Sequence, residues 1–275
     1  TISTYPASQL GGEREQLEGV QLGSIEMAVL AGPIPGIYPQ IMVFDLPYLF
    51  KNKQVAYEVL DGEFGQRILD EMLPQTGIRA LAWGENGFRH FTNSLHPIES
   101  PDDLNGLKIR TMENPAHMEM VESLSANPTP MAFGEVYSAL QQGVIDGQEN
   151  PVSLIESMRF YEVQEHLTLD GHVYNPFAFI VNNDFFTSLP AEYQTILEEE
   201  ARNWSDIERQ LNTQQVERGI QTLKDSGMKI VELSDQEKQA FRDETQPVYD
   251  MYREQLGEEV IDDLLKAVEE AEAKL

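Results

Sequence analysis

An α/β protein of two lobes, spanned by one long helix, is what this sequence predicts, and three observations carry the prediction. Short apolar runs alternate with helix-patterned segments through residue 185, the order that builds layered sheets with largely parallel strands. The pattern then changes, and from Pro190 to Ser226 one helical period runs unbroken. At 1.5 Å per residue that helix would reach about 50 Å, longer than one small domain is wide. Finally, 275 residues with 41% hydrophobic content suffice for two cores.

The elements follow in order. Residues 12–20 have the spacing of a surface helix, closed by Leu22-Gly23, and residues 26–30 form a short buried-type strand. Residues 52–73 read as one or two helices broken near Gly62, followed by a strand over 78–83. Ser100-Pro101-Asp102-Asp103 is a capping sequence, because a serine oxygen can accept from the free N–H groups of a first turn in which proline has none to lose. A strand over 107–112 comes next. Asn114-Pro115 repeats the device and starts a helix to Leu124, with Met118, Val121 and Leu124 on one face. A strand is expected around 129–133 and a helix over 134–142 stopped by Gly143. Another strand enters through Val144-Ile145-Asp146 and ends at Asn150-Pro151. Along the long helix, Tyr193, Leu197, Ala201, Trp204, Ile207 and Leu211 form the apolar stripe expected to pack on the lobes, with Arg209 left on the surface. Two acidic helices, over 236–256 and 258–274, close the chain.

Composition removes several classes of function. Acidic side chains number 47 against 19 basic ones, a net charge of −28, and no basic run offers a footprint for phosphates, so neither nucleic acid nor an anionic membrane surface is an expected partner. Such acidity suits a well-hydrated surface and a saline medium equally. The chain has no cysteine, which excludes thiolate catalysis and disulfides and fits a compartment where free thiols would oxidise. The most apolar stretch, 28–50, contains Pro33, Pro35, Pro39, Pro47 and Asp45 and cannot be a spanning helix, so no direct membrane insertion is expected. The histidines at 90, 96, 117, 166 and 172 lack the spacing of a helical zinc site, and Asp146 to Asn150 lack the alternating carboxylates of a calcium loop. There is no Gly-x-Ser-x-Gly elbow, phosphate loop or Gly-x-Gly-x-x-Gly run, so no metal, cofactor or catalytic residue is expected.

One arginine stands out by position. If Leu107 and Ile109 face the core, strand alternation turns Lys108, Arg110 and Met112 to the other face, near the C-terminal end that borders the ligand crevice in open α/β sheets. Spacing alone leaves open the commoner alternative, a surface arginine paired with one of many carboxylates.

Four ordered strings sharpen the reading: Gly-Leu-Lys-Ile-Arg at 106–110, Asn-Pro-Thr-Pro-Met-Ala-Phe at 127–133, Gly-Glu-Val-Tyr at 134–137 and Asp-Gly-Gln-Glu-Asn-Pro at 146–151. Together they resemble the DctP family of TRAP transporter solute-binding proteins, and weaker similarity extends over the whole chain. The resemblance implies the two-lobed periplasmic binding protein fold, with a ligand cleft between lobes and the long helix spanning both. Lobe one would comprise 1–87 plus 176–212 and lobe two 88–175 plus 213–275. The family's opening strand and helix have no counterpart before Thr1, so either upstream residues are missing or the fold has an unusual gap there.

The resemblance also implies roles. Arg110 would grip a ligand carboxylate in a two-pronged salt bridge, which suits the planar guanidinium fork, and Arg89 would assist. Asn150 would bond ligand oxygens and Phe133 would pack on the ligand's carbon frame. Glu13, Ala31, His172 and Asn175 fall where family members vary their contacts with ligand identity. Ala31 offers no polar handle, which with two arginines favours a sugar acid over a zwitterion and places a C4-dicarboxylate second. The implied protein is periplasmic, monomeric and not an enzyme, with a small carboxylate and the transporter's membrane subunits as partners. Two rivals are an α/β enzyme acting on a small acid, with His172 or His90 as its base, and a sensory ligand-binding domain.

Overall fold

The computed structural model describes residues 2–275. Its first helix, α1 (Glu13–Leu22), ends where Gly23 takes a φ of 78°, a left-handed conformation that returns its N–H to the last turn. Strand β1 (Met27–Leu30) leads into proline-rich turns, including the 3-10 segment Pro39–Asp45. Helices α2 (Lys53–Asp61), capped by the Asn52 side chain, and α3 (Glu63–Thr76) are separated at Gly62 as expected. Then come β2 (Ile78–Asn93), β3 (Lys108–Thr111), α4 (Pro115–Ser123), β4 (Asn127–Pro130), α5 (Val136–Gln141) and β5 (Gly147–Pro151). They are followed by α6 (Val152–Ser157), β6 (His166–Asn182), α7 (Asn183–Ser188), α8 (Ala191–Asp225) and β7 (Lys229–Glu232). Helices α9 (Asp235–Glu244), α10 (Gln246–Leu256) and α11 (Glu258–Lys274) end the chain.

The strands form one seven-stranded sheet in the order β1-β6-β2-β5-β3-β4, with β7 on β6. Strand β3 runs parallel to β4 and β5, but β2 is antiparallel to both β5 and β6, so the sheet is mixed rather than largely parallel. Apolar patterning locates strands without fixing their direction, which is why that expectation fails. The axis of the sheet is the β2–β6 pair, 16 and 17 residues long and bulged near Ala80, Glu85 and Arg89. Strand β2 runs ten residues past its expected end because the continuation buries polar side chains (Glu85, Asn86, Arg89, Thr92 and Asn93) that carry no apolar signal. At Gly147 the backbone of β2 comes so close that an added Cβ would lie 2.2 Å from the Thr92 carbonyl oxygen.

Two hydrophobic clusters flank this axis. The larger joins α1–α3, the 39–45 turn, β3, α4 and the C-terminal helices around Phe44, Trp83, Ile109 and Tyr252; the smaller gathers α5, α6 and the end of α8 around Ile155, Phe160 and Leu223. Helix α8 is 35 residues long, and only the middle of its expected apolar stripe packs: Ala201 is buried and Trp204 lies edge-on to Phe179 with ring centres 5.3 Å apart. Tyr193, Ile207 and Leu211 are 55%, 57% and 56% exposed, whereas Ala201, Ser205, Arg209, Asn212, Gly219 and Leu223 are buried. The cause is what α8 crosses. The polar middle of β2 needs hydrogen-bond donors, and Ser205 Oγ donates to the Trp83 carbonyl while Asn212 Nδ2 donates to that of Glu85 at 2.6 Å. Arg209 is likewise not a surface residue: it grips Asp61 at 2.5 and 2.9 Å and stacks 4.4 Å from the Tyr57 ring.

Smaller departures have local causes. The strand expected around 129–133 lies at 127–130, and its prolines are tolerated because β4 is an edge strand. The helix expected over 236–256 breaks at Thr245, just before Pro247 enters the first turn of α10. On α4 the most buried residues are Ala116, His117, Met120 and Val121, with Met118 half-buried.

Candidate ligand cavity

A cavity of about 480 Å³ opens between the start of α1, the C-terminal end of β3, the 130–135 turn and the β2–β5–β6 junction. Strand β3 delivers Arg110 into its wall, as alternation from buried Ile109 requires. Arg110 is 2% exposed, and its Nε and Nη2 donate to the Met131 carbonyl at 3.1 and 2.7 Å while Nη1 has no partner. The carbonyl thus takes one edge of the guanidinium and leaves the end-on Nη1/Nη2 edge for an anion. Burial, reinforced by the charge of Arg89, lowers the Arg110 pKa to about 10, so it stays cationic at neutral pH. The ring of Phe133, centred 5.9 Å from the guanidinium carbon, forms another part of the wall.

Glu13 and Asn150 complete the polar lining. Glu13 Oε1 accepts from the Ala31 N–H at 3.1 Å, and burial pushes its carboxyl pKa up against the opposing pull of that hydrogen bond and of Arg110. Asn150 is 1% exposed; its Nδ2 donates to Gln148 Oε1 at 2.5 Å and its Oδ1 accepts from Arg89 Nη2 at 3.1 Å.

Arg89, His172 and Asn175 stand behind the wall. Arg89 is fully buried and forks onto Glu149 through Nε and Nη2, with Nη1 unpartnered. His172 bridges two carboxylates, Nδ1 at 2.8 Å from Asp170 and Nε2 at 3.2 Å from Glu149, and stacks on Phe91 with ring centres 4.2 Å apart. Burial works against its charge, but the two carboxylates outweigh burial and raise its pKa to about 9. Glu149, although desolvated, is held well below the usual carboxylate range by Arg89 and the imidazoles around it. Asn175 donates to Asp45 at 2.6 Å and accepts from Asn86 at 2.8 Å.

Two contributors had no sequence signal. Asn86 lies in an apparently featureless polar stretch yet reaches the cavity wall. His117, fully buried on α4, places Nε2 3.4 Å from Asp45 and Nδ1 3.5 Å from Glu149. Only the long-range pairing of β2, β5, β6 and α4 brings these groups together.

A cleft that ends on a cationic fork, in this mixed α/β architecture, is the form of a solute-binding protein. Residues 1–255 match the family model DctP, bacterial extracellular solute-binding protein, family 7, and the chain belongs to that family. A solute-binding protein of Verminephrobacter eiseniae is 42% identical over 97% of this chain and 79% of its own. A TRAP periplasmic solute-binding protein from Polaromonas, solved with D-erythronate, superposes with a TM-score of 0.91 at 39% identity, covering 96% of this chain and 86% of that one. The sugar acid binding protein DctPAm of Advenella mimigardefordensis, solved with galactonate, gives a TM-score of 0.92 at 36% identity over 96% and 85%. The chain is an extracytoplasmic solute-binding protein of the TRAP type with their two-lobed fold.

Proposed function

We propose that this protein captures a hydroxylated monocarboxylate, a sugar acid, in the periplasm and hands it as a monomer to the membrane subunits of its transporter. One observation carries the reading: a buried arginine, Arg110, in a cavity of about 480 Å³ with an unpartnered Nη1. An orphaned guanidinium N–H is costly unless a ligand anion meets it, and each charge-assisted hydrogen bond to that anion contributes about 1.5 to 3 kcal/mol. Asn150 and Glu13 would then accept from, or donate to, the ligand hydroxyls. Glu13, Glu113 and Glu135 all line the cavity and would repel a second carboxylate, which ranks sugar acids above C4-dicarboxylates. Galactonate and D-erythronate, bound by the two structural relatives, are both hydroxylated monocarboxylates.

The proposed lobes are 1–87 plus 176–212 and 88–175 plus 213–275, closing over the cavity by hinge motion. Against an enzyme of the same cleft, neither candidate base is poised. His172 is already cationic between two carboxylates, and His90 Nδ1 accepts from the Gly171 N–H at 3.0 Å. The test is a thermal-shift screen with D-galactonate, D-erythronate, succinate and neutral galactose. A ligand at one hundred times its Kd stabilises the folded state by about 2.7 kcal/mol. The sugar acids should raise Tm most and galactose should leave it unchanged; a shift with galactose and none with the acids would overturn the proposal.

A further inference from the structure

We propose that His117 is a positioning residue for the ligand cavity: its ring joins two chains of polar contacts, each of which ends on a cavity-wall asparagine. The proposal rests on the reading of that cavity as a carboxylate site. The first chain runs from His117 Nε2 to Asp45 Oδ1 at 3.4 Å, from Asp45 to Asn175 Nδ2 at 2.6 Å, and from Asn175 Oδ1 to Asn86 Nδ2 at 2.8 Å. The second runs from His117 Nδ1 to Glu149 Oε2 at 3.5 Å, through the Arg89 fork, to Asn150 Oδ1 at 3.1 Å from Arg89 Nη2. Asn86 and Asn150 both line the cavity; His117 does not touch it.

Only the imidazolium can serve both chains. With protons on both nitrogens it faces a carboxylate on each side, whereas the neutral ring has one N–H and turns a lone pair toward the other carboxylate. The two contacts are at ion-pair distance without hydrogen-bond alignment. Loss of the proton therefore weakens the pull on Asp45 and Glu149, which Asn114 and the Arg89 fork still hold, and loosens the wall asparagines behind them. The surroundings favour the charged form. The charged groups in contact with His117 are Asp45 from the 39–45 turn and Glu149 from β5; Arg89 of β2 and His172 of β6 share Glu149 with it from the other side. Burial alone would lower the imidazole pKa, but Glu149 and Asp45 outweigh it and the net direction is upward.

The device is read by ligand affinity against pH. D-galactonate has no titrating group in the alkaline range, so in calorimetric titrations its affinity for the parent should hold at neutral pH and fall about tenfold as His117 loses its proton. By reciprocity, saturating D-galactonate should move the His117 titration, followed by carbon-13 NMR of labelled histidine, up by about one pH unit. His117→Gln should bind about tenfold more weakly at neutral pH and lose only the part of the alkaline fall that tracks the His117 titration, keeping any fall that follows His172 near about 9 and Arg110 near about 10. A variant that binds like the parent at neutral pH overturns the role. If the variant does not fold, the NMR titration of the parent decides, and a His117 titration unmoved by bound D-galactonate overturns the role. A parent that binds D-galactonate without that movement refutes the positioning role alone; a parent that binds none refutes the cavity reading and this role together.

Discussion

Glu149 is the residue on which the buried charges converge. Arg89 forks onto it and the rings of His172 and His117 stand at 3.2 and 3.5 Å, all of them fully buried. Desolvating so many charges is favourable only when each keeps its partner. Two opposing linkages follow. His172, whose pKa is raised to about 9, adds stability that is fully present below its unfolded value near 6.5 and is lost as pH climbs toward 9. Glu149 and Asp170, both depressed, add stability that is present above the unfolded carboxylate range near 4 and is lost as pH falls. Melting temperature should therefore peak between about pH 5 and 6.5 and decline on both sides. A Tm that rises steadily from pH 6.5 to 9 would contradict the charge assignment. None of this was legible residue by residue, because His117 sits in an ordinary helix turn and Glu149 in a turn-like string, and neither position announces burial.

At the scale of elements, the caps and breaks were readable because their chemistry is local. Ser100 and Asp103 form the expected capping box, Asn114 caps α4, and Gly62 and Gly143 interrupt or end helices where expected. The strand alternation that turned Arg110 away from Ile109 was local too. What local pattern could not give was the phase of α8. Its apolar residues at 193, 207 and 211 suggested the buried face, but the face that packs is chosen by the polar backbone of β2. Replacing Asn212 by Leu should thus destabilise the fold by about 1 to 3 kcal/mol, since the Glu85 carbonyl loses its donor. Replacing exposed Ile207 by Ser should stay within about 0.5 kcal/mol. Urea denaturation of the two variants checks the reversal, and a larger loss for Ile207→Ser would restore the apolar stripe as the packing face.

For the molecule as a whole, the long antiparallel β2–β6 pair and α8 form the frame on which the cavity is built. Strand β3, the 130–135 turn and the start of α1 bring its other walls. The two-lobed class was legible from element order, the length of α8 and the family strings; the mixed strand directions and the buried polar layer were not, since both depend on pairings between residues far apart in the chain. Against a net charge of −28, holding an anion requires a cation shielded from solvent, and the proposed anchor, Arg110, is buried in the cavity wall.

The most direct test of carboxylate capture is calorimetric titration of D-galactonate into the parent, Arg110→Lys and the control Arg202→Lys, the last on the exposed side of α8. Lysine keeps the charge of Arg110 but removes the fork that holds the Met131 carbonyl on one edge and offers the other to the ligand. Arg110→Lys should lose about 2 to 4 kcal/mol, roughly thirty-fold to nearly a thousand-fold in Kd, while Arg202→Lys binds as the parent does. Binding of D-galactonate to Arg110→Lys within about threefold of the parent, a difference under about 0.7 kcal/mol, would contradict the assignment of Arg110 as the carboxylate anchor.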